Sequence, residues 1–353
     1  MKVMAINASP RTQGESRSEL LLKHLVNGME KAKAEVDVVN LREYEVKFCQ
    51  GCFSCWTKTP GTCIFKDDMS RILFPQWQEA DIVVYSSPLY YRGLASKLQA
   101  FVERTLPSLK PDLISDGDRT HHPARIKSPD FVVLSVAGFP DLKEFDLLSD
   151  WSKTNFNGDN SNLLAEIYRP ASQVLTQKHF KSAAEVIFKA VRQAGGEIIT
   201  KRRVSDETMA KITQPLHDKD VIIKTSNLYW QSCIDQDVIP KQFDKKQCPP
   251  TPKTVEDMML LLPMGINKKN AGKTDAIVQF SFGSGTHEDF YLDISNGKVN
   301  ALKGTSEKPD LTIITPFKLW RDIMTGVSDG TQKFMEGAYT IEGDGDLLIK
   351  LFS

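Results

Sequence analysis

The chain is predicted to be an α/β protein in which a doubly wound, five-stranded parallel sheet is followed by a smaller α+β unit. Short apolar runs alternate with stretches of helical spacing through the first two-thirds of the sequence, the pattern of a parallel sheet covered on both faces. The segment Pro240-Lys-Gln-Phe-Asp-Lys-Lys-Gln-Cys-Pro-Pro-Thr-Pro252 then breaks that alternation. Beyond it, strand patterns follow one another with helices at either end. These shifts divide the chain into residues 1–240, a linker over 241–253 and residues 254–353. With 353 residues, 41% hydrophobic and 25% charged, both parts can bury a core. Lys plus Arg and Asp plus Glu number 45 each, so overall charge favours neither nucleic acid nor an anionic membrane surface. No apolar span reaches the roughly 18 residues that a bilayer requires, and Met1 to Asn7 reads as a strand, not a leader; a soluble, cytoplasmic protein is expected.

Val3 to Ile6 form the first strand, and Leu20, Leu21, Leu25, Val26 and Met29 mark a helix after it. Glu35 to Leu41 is a second strand, and Asp67-Asp-Met69 opens a helix carrying Ile72, Leu73, Trp77 and Ala80. Asp81 to Pro88 is a third strand, Leu94 to Leu106 a helix and Phe131 to Ala137 a fourth strand. Phe180 to Ala194 reads as a helix and Glu197 to Val204 as the fifth strand. Residues 107–129 form a long loop, and 138–178 an insertion that is helical around Asn162 to Tyr168 and Ala171 to Thr176. Ser205 to Asp237 closes the unit with one or two helices. Such an order gives a flavodoxin-like sheet with its ligand at the carboxyl ends of the strands.

Between the first strand and helix lies Asn7-Ala-Ser-Pro-Arg-Thr-Gln-Gly-Glu-Ser-Arg-Ser18. Hydroxyls, a guanidinium and backbone N–H groups at a helix start suit a phosphate; the alternative is a capped helix with a solvated basic turn. The loop has neither the Gly-Lys-Ser/Thr of a Walker loop nor the Gly-x-Gly-x-x-Gly of dinucleotide folds. Ser87-Pro-Leu-Tyr-Tyr-Arg-Gly93 follows the third strand, and its two tyrosines can lie beside a flat ring or simply pack the loop. Ala137-Gly-Phe-Pro140 follows the fourth.

These loops resemble those of the flavodoxin-like NAD(P)H-dependent FMN reductases, a family that includes the iron–sulfur flavoproteins. Lys97 and Glu103-Arg104 extend the resemblance, Glu103 standing where that family has Asp. The resemblance implies FMN, with its phosphate at Ser9, Arg11, Ser16 and Ser18, Arg17 beside them, and its ring system at Pro88, Leu89, Tyr90, Tyr91, Gly93, Ala137 and Gly138. It further implies NAD(P)H as hydride donor to flavin N5, no catalytic acid or base, a small-molecule electron acceptor and a homodimer or homotetramer.

Cys49-x-x-Cys52-x-x-Cys55 and Cys63 concentrate four thiols within 15 positions. Thiolates so spaced can hold a [4Fe–4S] cluster or zinc, or remain unligated as a redox pair. The segment resembles the compact cysteine motif of iron–sulfur flavoproteins, which implies a cluster beside the flavin. Asp67-Asp68 reads as a helix start, Cys233 and Cys248 as ordinary residues, and His24, His121, His122, His179, His217 and His287 as histidines without companions at ligand or triad spacing.

Residues 254–353 resemble sterol carrier protein type 2 domains through Pro309-Asp310, Gly326, Phe334-Met335-Glu336-Gly337 and Gly343-Asp344. That resemblance implies a sheet beneath helices around an apolar tunnel for a hydrophobic ligand. Met258, Met259, Trp320, Met324 and Met335 would line the tunnel or fill the core. The function expected is an NAD(P)H-dependent FMN oxidoreductase passing electrons to a flavin, a quinone or another acceptor. Two alternatives stand beside it: an iron–sulfur flavoprotein in one-electron transfer with a ferredoxin, and a lipid-binding protein on a non-catalytic flavodoxin-like scaffold.

Overall fold

The computed structural model describes all residues except 13, 118, 158–160, 267, 284–287 and 353, so His287 lies outside the described residues. The chain divides into two compact units, Met1–Leu216 and His217–Ser353.

In the first unit, strands β1 (Lys2–Asn7), β2 (Glu35–Asn40), β3 (Ile82–Pro88), β6 (Asp130–Val136) and β7 (Leu163–Arg169) form a parallel sheet in the order β2-β1-β3-β6-β7. A short hairpin, β4 (Ile114–Asp116) and β5 (Arg119–His121), occupies the long loop before β6. Strand alternation sends Val3 and Ala5 to one face, with the helices α1 (Arg17–Lys31) and α5 (Lys181–Lys201) and Ile212 of α6 (Asp206–Thr213). It sends Met4 and Ile6 to the other, with α2 (Phe74–Glu79), α3 (Ser96–Glu103) and α4 (Asp146–Phe156). Both faces are therefore dry, as the continuous apolar runs of β3 and β6 require.

The fifth strand is a correction. Glu197–Val204 is not a strand: α5 runs on through Lys201, and Ile198 continues the buried stripe of Ala184, Ile187, Val191 and Ala194. The fifth strand is Leu163–Arg169, inside the segment expected to be helical. The α1–α5 crossing explains the unbroken helix. A Cβ at Gly28 would lie 1.8 Å from the carbonyl oxygen of Arg192, and one at Gly195 would lie 2.1 Å from that of Leu25. Gly195 thus sits inside α5 because two backbones approach there, not because the helix stops.

At the same crossing Arg192 donates from Nη1 to His24 Nδ1 at 2.8 Å, and the imidazole stacks on Phe188 with ring centroids 4.5 Å apart. Arginine has no acceptor, so the bond demands a neutral imidazole. Burial, followed by the charge of Arg192, lowers the pKa of His24. A histidine so depressed contributes stability that is complete above its unfolded value of about 6.5 and is lost as pH falls below it. Urea unfolding of the first unit is expected to show a midpoint that declines from about pH 7 to pH 5, with a shallower decline in His24→Gln; parallel profiles would refute the assignment.

The second unit contains a five-stranded mixed sheet in the order β10-β9-β8-β11-β12. Its strands are β8 (Ala276–Ser281), β9 (Phe290–Ser295), β10 (Lys298–Lys303), β11 (Leu311–Ile314) and β12 (Thr340–Gly343). The β8–β11 pair is parallel and the others are antiparallel. The helices are α7 (Lys219–Asp235), α8 (Pro240–Lys245), α9 (Val255–Gly265), α10 (Lys268–Ala271), α11 (Phe317–Met324), α12 (Gly330–Met335) and α13 (Asp346–Phe352). Where the sequence places a linker, Pro240 starts α8 at its first turn and Phe243 is buried against Tyr229. Thr254 and Asp257 form a capping box that starts α9. Met258 and Trp320 are buried in an aromatic core with Phe280, Phe290 and Tyr339, and Met259 and Met324 pack partly against it. Met335 departs from expectation, standing 82% exposed at the end of α12. Among the described residues no helix is long and apolar enough to cross a membrane.

Candidate functional site

The site is built at the carboxyl ends of β1, β3 and β6, where the loops are tied to neighbouring strands. Ala8 N–H donates to the Ser86 carbonyl at 2.8 Å, Leu89 N–H to that of Val136 at 2.9 Å, and Ala137 N–H to that of Arg169 at 3.1 Å. Asn7, Ser9, Ser16 and Ser18 are all buried, Ser18 at 1% exposure, although Ser9 and Ser16 lie on the loop between β1 and α1. Ser9 Oγ accepts from Arg11 N–H at 3.2 Å, an ST turn that starts the loop. Ser16 caps α1 by accepting from Glu19 N–H at 3.1 Å, and its hydroxyl lies 3.2 Å from that of Ser18. Arg42, paired with Glu19 at 3.1 Å, also donates to the Arg11 carbonyl. Arg11 itself is exposed. The amide end of α1, its dipole and two adjacent hydroxyls make this an anion-attracting corner.

After β3, Tyr90 and Gly93 exchange backbone hydrogen bonds of 3.1 and 2.9 Å around a two-residue turn. Both central residues have positive φ, Tyr91 at 47° and Arg92 at 61°, as a primed hairpin turn demands. Tyr91 is thereby fully exposed and Tyr90 half-exposed, while Pro88 and Leu89 are partly buried. Arg92 reaches Glu144, beyond the β6 loop, with a 3.0 Å ion pair. Ala137 is buried and Gly138 exposed. The residues expected to hold a phosphate therefore meet at one end of β1, and those expected around a ring meet beside it at the ends of β3 and β6.

The four cysteines of the 49–63 segment line one cleft, together with Phe53, Phe65, Arg104 and Leu106. All are free thiols, Cys52 exposed and Cys55 buried. Hydrogen bonds from Ser54 pull the Cys52 thiol down in pKa, whereas burial and then the nearness of Cys63 push Cys55 up. No three His, Cys, Asp or Glu side chains among the described residues stand in a metal-holding arrangement. The thiols are gathered but not converged. His121 and His122 are half-buried, His122 tilted against Trp56 at 4.5 Å.

Sequence reasoning missed what holds this segment. Asp67 is a buried ion-pair partner, not only a helix start: Arg104 grips it from both nitrogens, at 2.8 and 2.9 Å, with both residues 2% exposed. The same guanidinium donates to the Lys47 carbonyl at 2.8 Å and lies over the Phe65 ring. Burial opposes the charge of Asp67, but Arg104 and the N–H groups of Lys47 and Ser70 outweigh it and hold the carboxyl well below the usual carboxylate range. Asp-Asp-Met69 and the Glu-Arg104 helix end were visible as motifs, yet nothing local paired them.

A parallel sheet in this order, with a hydroxyl-lined helix start at its first strand, defines a flavodoxin-like protein. Residues 1–115 match the family described as NADPH-dependent FMN reductase, and residues 264–353 match the SCP-2 sterol transfer family. An iron–sulfur flavoprotein of Methanocaldococcus jannaschii is 33% identical over 107 residues, 30% of this chain and 53% of that one. One from Archaeoglobus fulgidus is 31% identical over 105 residues, 30% of this chain and 49% of that one. The chain thus spans about half the length of these curated relatives. An NAD(P)H:quinone oxidoreductase from Methanothermobacter marburgensis superposes with a TM-score of 0.43 at 16% identity, over 56% of this chain and 96% of that one. So loose a superposition adds nothing to the topology already described.

Proposed function

We propose that the first unit is an NAD(P)H-dependent FMN oxidoreductase serving a small-molecule acceptor such as a quinone or another flavin. The observation that carries this reading is the meeting of three loops at the ends of adjacent parallel strands, with buried hydroxyls at one corner and exposed tyrosines beside it. The residues fit the group. Ser9, Ser16, Ser18 and the start of α1 suit its phosphate, with Arg11 closing from solvent. Pro88, Leu89, Tyr90, Tyr91, Gly93, Ala137 and Gly138 suit its ring. When bound, FMN would supply the hydride acceptor that no side chain offers. The chain's part is to bind, orient and exclude water, so no acid or base is required of it.

FMN uptake followed by NADPH oxidation with added quinone tests the reading. In Ser18→Ala and Arg11→Ala, FMN is expected to bind roughly tenfold more weakly while riboflavin, which has no phosphate, binds as before. Equal losses for both ligands, measured by fluorescence quenching, would remove the phosphate assignment. The SCP-2 match favours a hydrophobic ligand in the second unit. Six free thiols suit a reducing, cytoplasmic setting.

A second reading, with a [4Fe–4S] cluster at Cys49, Cys52, Cys55 and Cys63, is favoured by their shared cleft and by the names of the relatives. As they stand, the four thiols do not form a ligating set. Iron and acid-labile sulfide in protein isolated without oxygen would establish this reading, and their absence after reconstitution would eliminate it.

A further inference from the structure

Beyond the three loops, a fourth contributes a polar atom without use. The turn after β7, Pro170 and Ala171, leads into a short 3-10 helix, Ser172–Thr176, and is laced to the β6 loop: Ala171 N–H donates to the Phe139 carbonyl at 2.7 Å and Ser172 N–H to that of Ala137 at 2.9 Å. Ala171 adopts a left-handed backbone, φ 47°, in making that turn. Gln173 follows, and its Oε1 is buried with no hydrogen-bond partner among the described residues. That oxygen lies next to Gly138, 3.9 Å from the position a Cβ there would take. A buried amide oxygen left unmatched is unfavourable, and its surroundings are held in place by the two backbone bonds that set the loop.

Resting on the FMN reading above, we infer that Gln173 is a binding residue for the flavin ring, its Oε1 accepting the hydrogen of N3–H. The chemistry selects that atom. The oxidised isoalloxazine carries acceptors at N1, O2, O4 and N5 and a single donor, N3–H, so the Gln173 amide, oriented with Oε1 toward Gly138, pairs with N3–H. No catalytic role follows; the residue fixes how the ring is seated.

The test compares FMN with N3-methyl-FMN, which lacks the donor, by dissociation constants for wild type, Gln173→Leu and Gln173→Glu. Wild type is expected to prefer FMN roughly tenfold, Gln173→Leu to lose that preference and bind FMN as weakly as the methylated flavin, and Gln173→Glu to retain it. Equal affinity of wild type for the two flavins, or the same preference in wild type and Gln173→Leu, overturns the inference. The wild-type comparison needs no variant, so a misfolded Gln173→Leu leaves the proposal open to refutation. Failure of wild type to bind either flavin, by contrast, overturns the FMN reading itself. Uptake of FMN with no preference overturns only the role of Gln173.

Discussion

Asp67→Ala is expected to cost the first unit about 3 to 5 kcal/mol, because it strands the Arg104 guanidinium in a site 2% exposed. Two ionic bonds are lost, and so are the contacts by which Asp67 accepts from Lys47 N–H and from Ser70. The ionised form stabilises the fold above the unfolded carboxyl pKa, and that contribution fades as pH falls through the depressed folded value. Acid should therefore weaken the wild type at pH values where Asp67→Ala is indifferent. Hydrogen exchange of β3 and β6 amides in urea would read the stability, and maleimide labelling would report faster access to Cys49 and Cys63. A paired replacement, Asp67→Leu with Arg104→Met, should recover part of the loss, since two apolar groups leave no buried charge. A cost under about 1 kcal/mol for Asp67→Ala would contradict the burial of the pair.

Gly28→Val should be comparably severe, at about 3 kcal/mol or more. Its Cβ would meet a carbonyl oxygen of α5 at 1.8 Å, and backbone in a packed helix cannot yield as a flexible side chain can. Gly196→Ala is the control. Its Cβ would stand 3.8 Å from the Gly28 carbonyl, an ordinary contact, and alanine gains up to about 1 kcal/mol of helix propensity. Thermal unfolding should separate the two substitutions in opposite directions, and equal effects would remove the close helix crossing as their cause.

Strands β1, β2, β3 and β6 were legible because their apolar runs are bounded by turn residues on both sides. The fifth strand was not. Leu163, Leu164, Ile167 and Tyr168 fall at spacings that a helix would also give, and they lie on an edge strand whose first four residues are only half-buried. Ile198 and Ile199 read as a strand because a short apolar pair carries no period of its own. Only the approach of α1 reveals Gly195 as an internal position. At the site, three loops could be read because each sits directly after a strand. Asp67 and Arg104 are 37 positions apart and join only in the fold, as does Gln173 beside Gly138.

The hairpin after β3 has a further consequence. Asn and Gly would satisfy its left-handed pair of residues with little strain, whereas tyrosine and arginine hold that shape at about 1 to 3 kcal/mol each. Backbone comfort is subordinated there to what the tip carries. The turn works as a post that lifts the Tyr91 ring clear of the surface while Arg92 is tied back to Glu144 at its foot.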